Sequence, residues 1–196
     1  MTLLNLQFRS VCSAAALLLL LGSSASAADA ARAQRLAQCA SCHGQGGNSQ
    51  LANIPSLAGQ PEFFLLNQLI LMREGVRQVP VMAPLVKDLT DAEIEDLAKH
   101  FSSLPAKRSE ERVDAALVQR GAARAADLRC ASCHLPTLAG QDQMPRLAQQ
   151  RIDYMVAALK SFRDNTRSGA DTLMTAAIIG VSDADLEALA HYAASR

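Results

Sequence analysis

The sequence contains no tryptophan, and aromatic residues of any kind make up only 4% of its 196 residues. Hydrophobic residues still amount to 49% of the chain, so we expect a globular core that something other than aromatic side chains helps to fill. An excess of charge of one sign is also lacking, because 19 basic residues balance 19 acidic ones. Without a basic excess, nothing indicates a nucleic-acid partner.

The apolar run near the N-terminus is too short to cross a membrane. It extends from Ala14 to Leu21, whereas a spanning helix needs about 20 apolar residues. Arg9 precedes the run and Ala25-Ser26-Ala27 follows it, an order typical of a secretory signal peptide. We therefore predict that residues 1–27 are a signal peptide, cleaved before Ala28. The mature chain is then exported to the periplasm, an oxidising compartment.

Four of the five cysteines lie outside this leader, in two identical pentapeptides. The sequence Cys-Ala-Ser-Cys-His begins at Cys39 and again at Cys130, a displacement of 91 residues (130 − 39). A related sequence, Pro-x-Leu-Ala-x-Gln, begins at Pro55 and again at Pro145, a displacement of 90 (145 − 55). The chain is therefore predicted to be a tandem duplication. Its lobes comprise residues 28–106 and 113–196, joined by a charged, solvated linker at 107–112.

An all-α fold with about three helices in each lobe is predicted. Helices at 28–42 and 113–133 lead into the pentapeptides, and middle helices occupy 62–74 and about 151–164. Thr90 with Glu93 forms a capping box that opens a helix ending at Leu104, and Ser182 with Asp185 forms a weaker one. Each lobe has roughly 80 to 90 residues, a size at which an apolar core alone is only marginally stabilising. A bound planar ligand would supply the missing core.

The pentapeptides predict covalent attachment of haem. In Cys-x-x-Cys-His, the thiols of Cys39 and Cys42, or of Cys130 and Cys133, add to the haem vinyl groups, and the next histidine, His43 or His134, binds the iron. A zinc site would have to join pairs separated by 87 residues (130 − 42 − 1), far beyond usual spacing. Redox dithiols would require a βαβ context, and disulfides would leave both histidines unexplained. Two covalent haem c groups are therefore predicted.

The sixth iron ligand distinguishes an electron carrier from a haem enzyme, because a thioether closes the coordination sphere. Met82 and Met174 lie in predicted loops, 39 and 40 residues after their histidines (82 − 43; 174 − 134). Packing is the usual role of a loop methionine, but two at repeat-related positions are predicted to be iron ligands. Met72 and Met155 fall inside the middle helices, where core packing is expected.

Two further expectations concern the surroundings of the haem. A ligating imidazole generally donates its other N–H to an acceptor, and backbone carbonyls near Pro55 and Pro145 are the candidates; the alternative is that these prolines only shape a loop. His100 and His191 are expected at the surface or at a haem edge rather than as ligands.

Taken together, these features resemble the dihaem cytochrome c4 family over essentially the whole mature chain. The resemblance depends on the paired Cys-x-x-Cys-His sequences, on Pro-x-Leu-Ala-Gly-Gln from Pro55, and on Met-Arg-Glu-Gly-Val-Arg from Met72. It implies two cytochrome c-like lobes related by a pseudo-twofold axis, with axial pairs His43/Met82 and His134/Met174. Family members are periplasmic and often loosely membrane-associated. The second lobe departs from the pattern at Leu135 and Gln149, where glycine is usual.

The resulting functional hypothesis is a one-electron carrier without enzymatic activity. The family resemblance implies transfer from a quinol-oxidising complex towards a terminal oxidase. The alternative is the electron-transfer subunit of a flavoprotein dehydrogenase such as flavocytochrome c sulfide dehydrogenase, which is similar in size and duplication. A third class, a haem peroxidase, would need an accessible sixth site on one iron.

Overall fold

The computed structural model describes residues 27–169 and 172–196. The signal-peptide prediction falls almost wholly on residues 1–26, outside the described chain, and stays a prediction. The chain divides into two units, one ending at Cys39 and the other comprising Ala40–Arg196. In the first unit residues 27–39 are helical, and residues 40–43 at the start of the second are helical too. This stretch, 27–43, is α1, the first predicted helix.

The prediction of an all-α fold is confirmed. After a 3-10 turn at Gln45–Gly47, the helices are α2 (Glu62–Arg73), α3 (Ala83–Val86), α4 (Asp91–Ser102), α5 (Ala115–Asp127), α6 (Ala131–His134), α7 (Ile152–Arg163), α8 (Thr172–Ile178) and α9 (Asp183–Ala194). Among the described residues, β-structure is limited to one isolated bridge between Gln141 and Met144. The short helices α3 and α8 are additions to the predicted three per lobe, and α6 overlaps the end of the helix predicted over 113–133.

Side-chain caps fix the starts of the last helix in each lobe. Thr90 accepts a hydrogen bond from the Glu93 amide, and the Glu93 carboxylate accepts one from the Thr90 amide at 2.9 Å. Ser182 accepts from the Asp185 amide at 3.1 Å. Each cap pairs amide groups that the first turn of a helix leaves without partners. Both predicted N-termini are confirmed.

The prediction of one continuous helix over 113–133 is wrong. Arg129 takes a left-handed conformation with φ of 56°, and the amides of Arg129 and Cys130 donate to the carbonyls of Ala126 and Ala125. These two bonds form a Schellman motif, which ends α5. Glycine is the usual signal for that ending, and because arginine occupies the position here, the break could not be predicted from the sequence.

Arginines at repeat-related positions brace the two lobes in the same way. Arg73 on α2 donates to the Leu89 carbonyl at 3.0 Å and to Asp91 at 2.7 Å. Arg163 on α7 donates to the Val181 carbonyl at 3.1 Å and also pairs with Asp183. Each arginine thus ties the middle helix to the start of the last helix. In both lobes these contacts connect the two ends of the methionine-bearing segment between those helices.

Apolar packing in the second lobe centres on α9. One buried cluster joins α7 and the C-terminal half of α9 through residues that include Ile152, Met155 and Ala190, and a second includes Ile178, Leu186 and Leu189. The prediction that Met155 packs in the core is confirmed, since only 5% of its surface is exposed. In the first lobe the buried residues of α4 are Ile94, Leu97, Ala98 and Phe101.

The charged segment between the lobes is hydrogen-bonded to both of them. Asn48 accepts from the Lys107 amide at 2.7 Å and donates to the Pro105 carbonyl at 3.1 Å. The Glu111 carboxylate accepts from the first amides of α7, those of Ile152 at 2.8 Å and Asp153 at 3.0 Å. A carboxylate at a helix N-terminus is stabilising because it pairs free amides and faces the positive end of the helix dipole. Glu111 therefore has a structural role that the expectation of a solvated linker missed.

Within the described ranges, no helix combines the length and apolar character needed to cross a membrane.

Candidate haem-binding sites

The two pentapeptide histidines have matching environments. His43 Nδ1 lies 2.8 Å from the Pro55 carbonyl oxygen, and His134 Nδ1 lies 2.9 Å from that of Pro145. A carbonyl oxygen can only accept, so Nδ1 carries the proton in each ring and Nε2 keeps its lone pair. The prediction that these carbonyls orient the imidazoles is confirmed, and each Nε2 is in the form that binds a metal.

Burial favours the neutral form of both imidazoles. His43 and His134 expose only 7% and 6% of their surfaces. Loss of hydration disfavours the imidazolium and lowers the pKa of each histidine, and the hydrogen bond to the proline carbonyl opposes this shift only in part. A neutral ring is the form that ligates iron.

The described cysteines form no disulfide. Cys130 directly precedes α6 and Cys133 lies within it, so the second pentapeptide occupies one compact turn that ends at His134. Burial raises the pKa of the Cys130 thiol. Among the residues that the structure describes, no three His, Cys, Asp or Glu side chains converge as a metal-binding group. Cys39 is the last residue of the first unit.

The two candidate methionine ligands are both half-buried. Met82 precedes α3, as predicted for a loop residue. The prediction of a loop is wrong for Met174, which lies inside α8 and packs against the cluster around Ile178 and Leu186. A helix forms there because the apolar Ile178 side chain is buried against α5 and α9, and this tertiary packing cannot be inferred from a seven-residue segment.

The residues present fit a haem group. Two thiols and an imidazole with an unprotonated Nε2 are the donors that covalent haem requires. Next to each methionine lies an exposed apolar side chain, Val81 with 61% and Leu173 with 75% of its surface exposed. Apolar side chains at these positions suit a flat hydrophobic ring.

Leu135 occupies a backbone conformation that glycine has in the first lobe. Gly44 follows His43 with φ 82° and ψ 154°, and Leu135 follows His134 with φ 67° and ψ 159°. This region is almost confined to glycine, and a residue with a side chain there costs on the order of 1–3 kcal/mol. The turn after the second pentapeptide is therefore strained, although the sequence lacks the glycine that usually marks it.

We expect Leu135→Gly to raise the stability of the second lobe by about 1 kcal/mol. Relief of the strain at positive φ exceeds the entropy lost by placing glycine there, roughly 0.5–1 kcal/mol. Guanidinium unfolding of the haem-containing protein, followed by circular dichroism, measures the change. The matched variant Gly44→Ala should lower stability, because its Cβ would lie 2.1 Å from the Asn48 carbonyl oxygen. A lower stability of Leu135→Gly would contradict the assignment of strain.

The roles of three further residues were not recognised from the sequence. Gln60 and Gln150 end the repeated Pro-x-Leu-Ala-x-Gln segments, and their side chains bind the opposite lobe. The recurrence of glutamine at this position indicated a role, but it did not identify the residues that the glutamines bind. His191 was expected at the surface or at a haem edge; a surface position is wrong, because this residue is buried and its Nδ1 accepts from the Asp114 amide at 3.1 Å, and the haem-edge position stays a prediction. Pairing of α5 with α9 places it there.

Two family models match the chain, one in each lobe. Residues 26–101 match the model described as cytochrome c oxidase, cbb3-type, subunit III, and residues 118–195 match the model described as cytochrome c. With the Cys39/Cys42 and Cys130/Cys133 pairs in Cys-x-x-Cys-His positions, the two cytochrome c domains fit two covalent haem c groups. The fold and the paired sites define a dihaem c-type cytochrome.

Individual relatives specify the family. The chain is 35% identical to cytochrome c4 of Pseudomonas aeruginosa over 88% of this chain and 91% of the relative. It is 33% identical to a thiosulfate dehydrogenase electron acceptor of Thiomonas intermedia, covering 85% and 82% of the two chains. The crystal structure of reduced recombinant cytochrome c4 from Pseudomonas stutzeri aligns with a TM-score of 0.75 at 33% identity, over 84% of this chain and 96% of that one. The chain belongs to the cytochrome c4 family and is an electron carrier rather than an enzyme.

Proposed function

We propose that this chain is a periplasmic carrier that transfers electrons one at a time from a quinol-oxidising complex towards a terminal oxidase. The observation that supports this best is the matched pair of buried histidines, in each of which Nδ1 is hydrogen-bonded to a proline carbonyl and Nε2 is therefore the unprotonated nitrogen. Bound haem supplies the one-electron chemistry of iron. The polypeptide would hold each haem, orient the imidazole of each pentapeptide histidine and exclude water from that imidazole.

The proposed axial ligands are His43 with Met82 and His134 with Met174. Support comes from the repeat, which places a half-buried methionine at the same stage of each lobe, between the middle and last helices. Arg73 and Arg163 donate hydrogen bonds that tie the middle helix to the residues just before the last helix in each lobe. Both ends of each methionine-bearing segment are therefore fixed. Methionine ligation favours a carrier, because it leaves no open position for oxygen or peroxide.

Replacing Met82 or Met174 by alanine should open one iron to carbon monoxide while both haems stay covalently attached. A methyl group cannot ligate iron, so the reduced variant exposes a sixth position that the parent protein closes. The measurement is the optical spectrum of the reduced protein before and after addition of carbon monoxide, with one haem per chain responding.

Met72→Ala is the matched control, since Met72 lies inside α2 and is expected to pack rather than ligate. Its spectrum should not respond to the gas. If Met82→Ala and Met174→Ala bind no carbon monoxide, those methionines are not the ligands. A response of the parent protein would instead favour a haem enzyme.

A second candidate is an electron acceptor for a dehydrogenase, either as a bound subunit or as a separate partner. It is supported by the relative from Thiomonas intermedia, which is described as a thiosulfate dehydrogenase electron acceptor. In this role the donor would be a soluble dehydrogenase, which can be a flavoprotein, instead of a quinol-oxidising complex.

Rates of haem reduction distinguish the two roles. The oxidised protein is mixed either with membranes of the native host plus quinol, or with a purified thiosulfate or sulfide dehydrogenase plus its substrate. Faster reduction by quinol-supplied membranes, and rapid reoxidation by those membranes under oxygen, would support the respiratory carrier. Reduction only by a dehydrogenase, or co-purification with a flavoprotein, would overturn it in favour of the second candidate.

The domain boundaries and the cellular location are part of the same proposal. Lobes at 28–106 and 113–196, with a linker at 107–112, are supported by the positions of the repeated helices. Periplasmic location follows from the proposed signal peptide at 1–27, and loose association with the membrane surface is a further expectation. N-terminal sequencing of the protein from a periplasmic extract would test the cleavage site before Ala28.

A further inference from the structure

Gln60 and Gln150 make equivalent hydrogen bonds across the boundary between the lobes. The side-chain Nε2 of Gln60 donates to the backbone carbonyl of Arg146 at 2.9 Å, and its Oε1 accepts from the backbone N–H of Arg146 at 3.0 Å. The side-chain Nε2 of Gln150 donates to the backbone carbonyl of Ser56 at 2.9 Å, and its Oε1 accepts from the backbone N–H of Ser56 at 2.8 Å. Each glutamine therefore satisfies both backbone groups of one residue in the other lobe.

These contacts are related by the internal repeat. Gln60 and Gln150 are separated by 90 residues (150 − 60), as are Ser56 and Arg146 (146 − 56). Exchange of equivalent partners is the pattern of a twofold-symmetric contact. Both glutamines expose only 5% of their surfaces. Buried hydrogen bonds of this kind are costly to break, because the partners lose access to water.

The same peptide groups also hold the pentapeptide histidines. The Ser56 amide shares its peptide bond with the Pro55 carbonyl, which accepts from His43 Nδ1 at 2.8 Å. The Arg146 amide shares its peptide bond with the Pro145 carbonyl, which accepts from His134 Nδ1 at 2.9 Å. A continuous chain of hydrogen bonds thus joins His43 to Gln150, and another joins His134 to Gln60. Each of these hydrogen-bond chains passes through its own peptide group and connects one lobe to the other.

We propose that Gln60 and Gln150 are crossed positioning residues: each sets the hydrogen bond of the histidine in the opposite lobe and thereby tunes the reduction potential of the opposite haem. The inference rests on the proposed function, in which His43 and His134 ligate iron. It explains why a glutamine recurs at the end of both Pro-x-Leu-Ala-x-Gln segments.

The direction of the effect follows from polarisation. When a glutamine oxygen accepts from the peptide N–H, it increases the negative charge on the carbonyl oxygen of the same peptide, because hydrogen bonds in a chain strengthen one another. A more negative carbonyl draws the Nδ1 proton and makes the imidazole a stronger donor to iron. A stronger donor stabilises Fe(III) relative to Fe(II) and lowers the potential. Loss of the glutamine therefore raises the potential of the other lobe's haem.

The test uses the pair Gln60→Leu and Gln150→Leu in the full, haem-loaded protein. Leucine has a similar volume and can neither accept nor donate. A redox titration gives the potentials, and nuclear magnetic resonance of the haem methyl signals, assigned lobe by lobe, shows which haem has changed. We expect Gln150→Leu to raise the potential of the first-lobe haem and Gln60→Leu to raise that of the second-lobe haem. The Nδ1 proton signal of the opposite histidine should move with it.

Three results would overturn the proposal: an unchanged potential, a change confined to the haem of the mutated lobe, or an equal change in both haems, which indicates general loosening. If either variant fails to assemble, amide hydrogen exchange in the parent protein decides, since Ser56 and Arg146 must then be strongly protected and rapid exchange would refute the contacts. The proposed function is judged separately by the optical spectrum. Haems with histidine and methionine ligands but unmoved potentials would reject only the crossed roles of the glutamines.

Discussion

Replacing Cys39 and Cys42 together by alanine should yield a protein with one covalent haem in place of two. In the proposed first site the thioether bonds form at these sulfurs, and the second lobe keeps its own complete pentapeptide, so only the first haem is lost. Mass spectrometry of the denatured chain counts the haems directly, because covalent groups survive unfolding. Peptide mapping should place the remaining haem on the fragment that contains Cys130 and Cys133.

The reciprocal variant, in which Cys130 and Cys133 are alanine, is the matched control and should keep only the first haem. A chain that still holds two covalent haems after either double replacement would show that attachment does not use these sulfurs. Loss of both haems from one double variant would show instead that the lobes do not mature independently. The two variants together separate the attachment chemistry from the folding of the whole chain.

Gly121→Ala should destabilise the second lobe by about 3 kcal/mol, the upper part of the range for overpacked cores. Gly121 lies on α5 where α9 crosses it. An added Cβ would lie 2.0 Å from the Ala188 carbonyl oxygen and 2.7 Å from the Tyr192 Cβ. Because the nearest atom belongs to the backbone of α9, the whole helix has to move. Guanidinium unfolding of the haem-loaded variant provides the measurement.

The sign of this effect is itself diagnostic. In a helix without a close neighbour, the change from glycine to alanine stabilises by about 1 kcal/mol. The exposed Ala123 lies on the same helix, and Ala123→Gly is the matched control, with an expected loss of about 1 kcal/mol from helix propensity alone. A Gly121→Ala protein that is more stable than its parent would mean that α5 and α9 are farther apart than the structure places them.

Much of the architecture is local in origin and was therefore readable from the sequence. The helix start at Thr90 depends on two side chains three residues apart, and the apolar spacing of α2 is likewise local. The Cys-x-x-Cys-His sequences specify their own chemistry within five residues. The internal repeat extended these predictions, because residues at equivalent positions of the two lobes, such as Pro55 and Pro145, are expected to have the same role. The histidine contacts of both prolines confirm it.

Other features were missed because their causes lie far away in the chain. The left-handed Arg129 and the strained Leu135 have no glycine to mark them, and Met174 is helical only because Ile178 packs beneath it. His191 is buried by the pairing of α5 with α9, not by its own neighbours.

By itself, the sequence determined the fold class and the duplication and predicted the two haem-attachment sites, because each depends on side chains within a few residues of one another. Only the tertiary structure decided which groups of one lobe meet those of the other. Gln60 and Gln150 bind peptide groups 86 and 94 residues away. Their hydrogen bonds exist only once both lobes are folded and docked, when burial makes pairing of those backbone groups obligatory.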